Sequence, residues 1–489
     1  MAKKDNGYSY LNAAIPQGEA KYSRIAWGWG GLNRTDKFDT GQITDCSGVV
    51  IDPPYVLPAK NVHQFRGYAE SISIHGFDDN LLVIYRDGGK IKVDYITADG
   101  DTYTGTMGNA KGDDSDFKPR TAVQFNRAEG MENIVSAEFV RKILIFPDQY
   151  SMDFTVSGDF TPADLGDTYP TIKYATVYGS RVFGVDDNRV YASYHNDYAR
   201  WDLDTADDFS EANAWVSMSQ SNVKADGKFS AIATYDNHVV LFKRDFMQLV
   251  YHDNNPFRIV DVGSYGCDNP YAVTECEGIL YFASPDCVYR FTGGQPQKIS
   301  KDLGIKDFAG AVLGSYKDTM YMYVQDSLYS YKNGVWSSLG SVHGDIRQFA
   351  TLDYGVAALT ENGTIVFVDW EEGVFGSGNP EYPTEWWFET DFMALGKLDV
   401  RRIKKVSVLC DVAPGASVEV YLLKDGETFH PKTSLLVGET DGTGQVLLRV
   451  LVNQTSAYMH RLRIVGHGYA KIYAAEIKLS WGGDVYVEG

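Results

Sequence analysis

The chain has 489 residues, more than one hydrophobic core ordinarily supports, so two or more domains are expected. A hydrophobic share of 44%, a charged share of 22% and only 48 Gly and 16 Pro exclude disordered, collagen-like and small stapled chains. With 45 Lys and Arg against 65 Asp and Glu, the net charge is −20. That excludes wrapping nucleic acid or coating an anionic membrane, which need clustered cations, and leaves passive contact with DNA open.

No apolar run approaches the roughly 18 residues of a membrane helix. Met1-Ala2-Lys3-Lys4 passes into Asp5-Asn6-Gly7 without an apolar signal core. A soluble chain without membrane insertion is expected. The most informative count is aromatic, with 33 Tyr, 24 Phe and 9 Trp, a composition that favours strands and tight turns.

Residues 1–64 show little periodicity and read as an extended arm or docking segment. Trp27-Gly28-Trp29-Gly30-Gly31 is glycine-rich, but no helix follows to hold phosphate, so a flexible aromatic contact is expected.

From 65 to 383 one phrase recurs, an apolar run, a short turn and a second run, which is a β-hairpin. The clearest instance runs from Leu81 to Tyr85, turns at Asp87-Gly88-Gly89 and continues through Ile91, Val93 and Tyr95, with Lys92 and Asp94 interleaved. Six more begin at Ile143, Val182, Val239, Ile279, Met320 and Val356. Successive starts lie 62, 39, 57, 40, 41 and 36 residues apart, so four of the six gaps are near 40. A strand-only repeat of roughly 40 to 50 residues is the signature of propeller blades. The two long gaps then hold insertions near 98–120 and 196–228. Those insertions leave room for hidden strands, so six, seven or eight blades remain open, with about seven indicated by the hairpins. Either the arm or residues beyond 370 supplies the strand that completes a blade.

Lys332-Asn333-Gly334 supplies the positive φ angles of a tight turn, and Trp336 beyond it is placed to wedge between sheets. From 384 to 489 the spacing of strand-like runs and turns fits a β-sandwich. The expected fold is therefore all-β, a β-propeller followed by a C-terminal β-sandwich domain.

Chemistry is sparse. Cys46, Cys267, Cys276, Cys287 and Cys410 are odd in number and never form Cys-x-x-Cys, so neither a disulfide framework nor a zinc site is expected. Phosphate-loop, dinucleotide, zinc-protease and nucleophile-elbow motifs are absent. Asp113-Asp114-Ser115-Asp116 and Asp207-Asp208 with Glu211 lack calcium-loop spacing and read as solvated acidic loops. Arg401, Arg402, Lys404 and Lys405 concentrate charge on what reads as a solvated strand face. No catalytic, cofactor-binding or metal-binding residue is assigned, and no cofactor is expected.

Gly30-Gly31-Leu32-Asn33, a polar gap and the approach to Leu57-Pro58 and Asn61-Val62 resemble the opening of β-propeller tail proteins of tailed bacteriophages, the tail-hub or stabilisation and nozzle proteins. Gly179 to Gly184, then Val190 to Ser193 and Trp201, is similar to their mid-propeller phrase. Gly263 to Cys267 through Gly278 to Phe282 and Val288 to Phe291 resembles the passage between two blades, and Trp387 to Lys405 the entry to a small β-sandwich. The resemblance implies a non-enzymatic virion protein assembled in the host cytoplasm. It implies a ring of six copies below the portal and its adaptor, docking other tail or fibre proteins and framing the DNA channel.

Two other classes compete. A carbohydrate- or receptor-binding propeller would stack sugars on exposed aromatics, with Trp29, Trp201 and Trp386 as candidates, although packing is the expected role of each. A propeller glycosidase or lyase would need a carboxylate pair or a Tyr-His-Arg cluster at the central mouth, and no such set is marked.

Overall fold

The computed structural model describes residues 4–5, 8–9, 22–27, 29–35, 42–108, 120–126, 141–166, 168–202, 213–218, 227–251, 256–342, 344–373, 375, 381–390, 401–424, 436–439, 445–451 and 459–481. Among them no α-helix is found. Turn chemistry and apolar alternation produce antiparallel meanders, and seven four-stranded sheets follow one another along the chain. They span 71–108 (sheet I), 121–164 (II), 174–218 (III), 229–263 (IV), 273–298 (V), 312–340 (VI) and 346–370 (VII).

Each of the seven hairpins anticipated from sequence is the second and third strand of one sheet. The first strands touch in a cycle, with Ile346–Leu352 of sheet VII against both Val312–Tyr316 of sheet VI and Ser71–Phe77 of sheet I. Sheet faces pack on their neighbours in the same order. Sheets I and II share a core around Ile84, Val93 and Ile143, and sheets VII and I share one around Leu81, Ala357 and Phe367. The fold is all-β and of the β-propeller kind.

The region of the expected insertions holds fourth strands. Thr102–Gly108 completes sheet I and Trp215–Met218 completes sheet III, while 109–119, 203–212 and 219–226 lie outside the described residues. Sheet VII takes its fourth strand from the other end of the chain, where His63–Gly67 pairs antiparallel with residues 364–367. Of the two sources considered for the completing strand, it is not residues beyond 370: the strand straddles the expected boundary at 64/65, with His63 and Gln64 from the arm and Phe65 to Gly67 beyond it.

Beyond sheet VII the chain builds two larger sheets. One has five strands, in the order Leu436–Glu439, Ser417–Lys424, His460–His467, Trp386–Thr390 and Ile43–Ser47. The other has six. Gln445–Leu451, Arg401–Val412, Ala470–Trp481, Tyr55–Pro58 and Val49–Asp52 lie in that order, and Tyr22–Trp27 also pairs with Ala470–Trp481.

The stretch read as an extended arm over 1–64 thus differs in the structure, because its strands from Tyr22 to Pro58 are members of these sheets, while Lys4–Asp5 and Tyr8–Ser9 pair with each other. Tyr22–Trp27 and Ile43–Ser47 find their partners hundreds of residues downstream, as in Trp27 opposite Ala475 and Cys46 opposite Phe388, while Val49–Asp52 and Tyr55–Pro58 pair with each other as a local hairpin that the sequence reading did not single out. The two-sheet module accordingly draws on 22–58 as well as on the 384–489 segment.

Module and cycle are welded. One apolar cluster runs from Phe242 in sheet IV through Phe282 in V and Met322 in VI to Phe388, Val408 and Ile464 in the module. The Ile51 amide donates to Ser337 Oγ at 2.8 Å and the Leu32 amide to the Trp336 carbonyl at 3.1 Å. Arg34 reaches both sides, donating to Asp45 at 2.9 Å and to the Tyr329 hydroxyl at 2.9 Å. Between them Gly31 sits at φ 107°, where an added Cβ would lie 2.9 Å from Val335, so the segment passes only as glycine.

Trp336 does wedge between sheets. It is buried, its ring lies 4.9 Å from that of Tyr331, and its indole N–H donates to the Ile299 carbonyl beyond sheet V at 2.7 Å. Trp336→Ala is expected to destabilise the protein by about 3–5 kcal/mol in urea unfolding; a loss below about 1 kcal/mol would remove it from the weld.

Candidate functional site

A cleft of about 720 Å³ lies between sheets VI and VII on one side and the two-sheet module on the other. Its floor is residues 57–62, the crossing from the module strand Tyr55–Pro58 to the closing strand His63–Gly67. The crossing is fixed by charge. Lys60 Nζ lies 2.6 Å from Asp369 Oδ1 and donates to the Trp370 carbonyl at 3.3 Å, while the Tyr321 hydroxyl donates to Asp369 Oδ2 at 2.7 Å. Burial, reinforced by the Asp369 charge, holds the Tyr321 phenol well above its ordinary pKa. With both carboxylate oxygens engaged, Asp369 anchors the wall.

The opposite wall comes from the linker 381–385 and from Tyr469. The Asn61 amide donates to the Glu381 carbonyl at 2.8 Å, and the rings of Tyr382 and Tyr469 stand tilted with centroids 5.0 Å apart. Both tyrosines are half-buried, and Glu381 and Glu385 are exposed at the rim. The cleft is therefore a hydroxyl-, amide- and carboxylate-lined groove with a paired aromatic patch.

A second, smaller cavity of about 190 Å³ lies where the first strands converge. His75, Arg120, Tyr271 and Gln348 line it, each from a different sheet or its entry. Its polar groups have partners. Arg120 Nε is 2.6 Å from Asp148 Oδ2, both fully buried, and the Tyr271 hydroxyl exchanges hydrogen bonds with the Arg120 backbone. Gln348 pairs its side-chain amide with the backbone N–H and C=O of Ile74. Burial pushes His75 down to about 3, so it stands neutral, its Nε2 3.1 Å from Ser73 Oγ.

The structure disperses the residues singled out from sequence. Trp29, expected as a flexible contact, is buried edge-on to Phe388 with centroids 4.9 Å apart. Trp386 is fully buried, its N–H on the Gly468 carbonyl at 2.7 Å, and Trp201 packs on Tyr169 at 5.1 Å. Trp29 and Trp386 are packed away from solvent, while Trp201 is half-buried. The five cysteines are free and buried. Asp113 to Asp116 and Asp207, Asp208 and Glu211 lie outside the described residues, as do the side chains of Arg401, Arg402 and Lys404; Lys405 is half-buried on its strand. Among the described residues no three His, Cys, Asp or Glu side chains gather as a metal site, and no helix is long and apolar enough to cross a membrane. Sequence reasoning missed the cleft. Its local marks were Leu57-Pro58 and Asn61-Val62, cited for the opening phrase, and the end of the repeat at 383.

Neither a protein-family model nor a curated protein matches the chain. Solved structures do. The extracellular domain of the hybrid two-component system BT4673 from B. thetaiotaomicron aligns at 10% identity and TM-score 0.42, over 67% of this chain and 44% of that one. This chain thus spans less than half of that protein's length. BamB from Moraxella catarrhalis aligns at 12% and TM-score 0.35, over 72% of this chain and 98% of its own. The WD40 domain of Toxoplasma gondii coronin aligns at 11% and TM-score 0.35, over 69% and 93%. No activity carries over from any of them.

The titrating groups set the pH window of the fold. Burial pushes the phenols of Tyr95 and Tyr281 up to about 12, so the folded state keeps their protons when the unfolded chain, at 10.0, has begun to lose them. Their contribution is full below pH 10 and declines as pH rises toward 12. His75 works in reverse, with its contribution full above 6.5 and lost as pH falls toward 3. Unfolding free energy measured across pH is expected to fall on both flanks. Tyr95→Phe should flatten the alkaline one; an unchanged alkaline slope would count against Tyr95 as a source.

Proposed function

We propose that the protein is a structural component of a tailed-bacteriophage virion, not an enzyme. In this reading the seven sheets are the blades of a single β-propeller, followed by a β-sandwich domain that borrows strands from the N-terminal segment. Copies of the chain, six by the resemblance, form a tail ring, hub or nozzle, below the portal and adaptor, where they frame the DNA channel and dock other tail or fibre proteins. One observation carries the reading most, the single apolar cluster that joins sheets IV to VI to both module sheets. A body welded in this way transmits load without a hinge, which suits a ring that must hold shape while DNA moves through it.

Electrostatics points the same way. Six copies carry a formal charge of −120, six times −20, and a wall of that sign repels phosphate so that DNA slides without adhering. Mass photometry and negative-stain imaging of the purified chain, alone and mixed with portal and adaptor proteins of a short-tailed phage, test the assignment. A closed ring docked on the adaptor is expected. A monomer at every concentration, with no binding to either component, would refute it.

A further inference from the structure

In sheet VI the phenol hydroxyls of Tyr316, Tyr321 and Tyr323 are engaged by Glu371, Asp369 and Asp345. Across the cleft the pattern breaks. The hydroxyls of Tyr382 and Tyr469, the side-chain amide of Asn61 and the carboxylates of Glu381 and Glu385 line the cleft, and none has a hydrogen-bond or ion-pair partner among the described residues. Three separate parts of the chain bring these five groups to one concavity, whose volume of about 720 Å³ falls within the range typical of ligand sites.

The chemistry of the set is selective. Two adjoining aromatic faces suit the C–H face of a pyranose ring, and the carboxylates and amide accept and donate to its hydroxyls. The lysines lining the cleft, Lys60 and Lys332, are paired with Asp369 and Asp318 at 2.6 and 2.9 Å. Glu381 and Glu385 therefore leave the rim repellent to anionic sugars and nucleotides. We propose that the cleft binds a neutral oligosaccharide, stacked on Tyr382 and Tyr469 and hydrogen-bonded by Asn61, Glu381 and Glu385. This goes beyond the architectural role and does not depend on it, because a ring protein can lack the site and a monomer can have it.

Saturation-transfer NMR on the full chain with maltotriose, cellotriose and chitotriose, and with sialyllactose as the anionic comparison, tests it. Transfer to at least one neutral trisaccharide and none to sialyllactose is expected. Tyr382→Ala should weaken that binding roughly tenfold or more. Glu385→Gln, at an exposed position, should weaken it about threefold with thermal unfolding unchanged. Tyr469→Phe, which keeps the ring and removes only the hydroxyl, should give a similar loss, while Tyr354→Phe, outside the cleft, should have no effect. No transfer to any neutral trisaccharide at millimolar concentration would overturn the proposal. So would sialyllactose as the preferred ligand, binding indifferent to all three cleft substitutions, or a peptide that binds in place of sugar and is lost in Tyr382→Ala.

Discussion

The pairing of His63–Gly67 with residues 364–367 is the constraint on which the rest of the molecule depends. A meander of sheets packed face to face can stop anywhere unless its last member is tied to its first, and here backbone hydrogen bonds between distant segments make that tie. The tie also places the cleft. Because the closing strand enters sheet VII directly from the module, residues 59–62 must cross the gap between the two bodies, and Lys60 meets Asp369 there. The cleft is thus a by-product of how the cycle is closed, with its floor set by sheet register.

Tyrosine abundance has a second physical meaning beyond strand propensity. A buried phenol must find an acceptor, and an acidic chain supplies carboxylates in quantity. In sheet I the buried Asp94 accepts from Tyr68 at 2.8 Å, Tyr85 at 3.0 Å and Thr104 at 2.8 Å. Tyr191 with Asp186 repeats the pairing in sheet III, and Tyr354 with Asp79 links sheets VII and I. Excess negative charge, which would otherwise work against compaction, is partly put to use as hydrogen-bond acceptors at sheet borders.

What could be read from sequence divides along the same physical line. The hairpins were legible because their determinants, an apolar run and a turn such as Asp87-Gly88-Gly89, lie within about fifteen residues. Outer strands such as Ala163–Asp164 and Gln297–Lys298 were not, since they are two residues long, exposed and without alternation. Tyr22–Trp27 and Ile43–Ser47 were hidden for a different reason, as their partner strands Ala470–Trp481 and Trp386–Thr390 lie hundreds of residues downstream. The cleft was least legible of all. Asn61, Tyr382 and Tyr469 carry no shared motif, and only the completed fold brings them together.

Long-range pairings such as 63–67 with 364–367, 43–47 with 387–390 and 22–27 with 475–480 also set an order of events during synthesis. The early segments leave the ribosome with their edges unmatched and must wait through several hundred further residues before a mate exists. Meanwhile sheets I to VI, each contiguous in sequence, are free to form as they emerge. The last of these pairings waits on translation of the final strand, and a chain stalled before residue 470 would leave Tyr22–Trp27 as an unpaired edge.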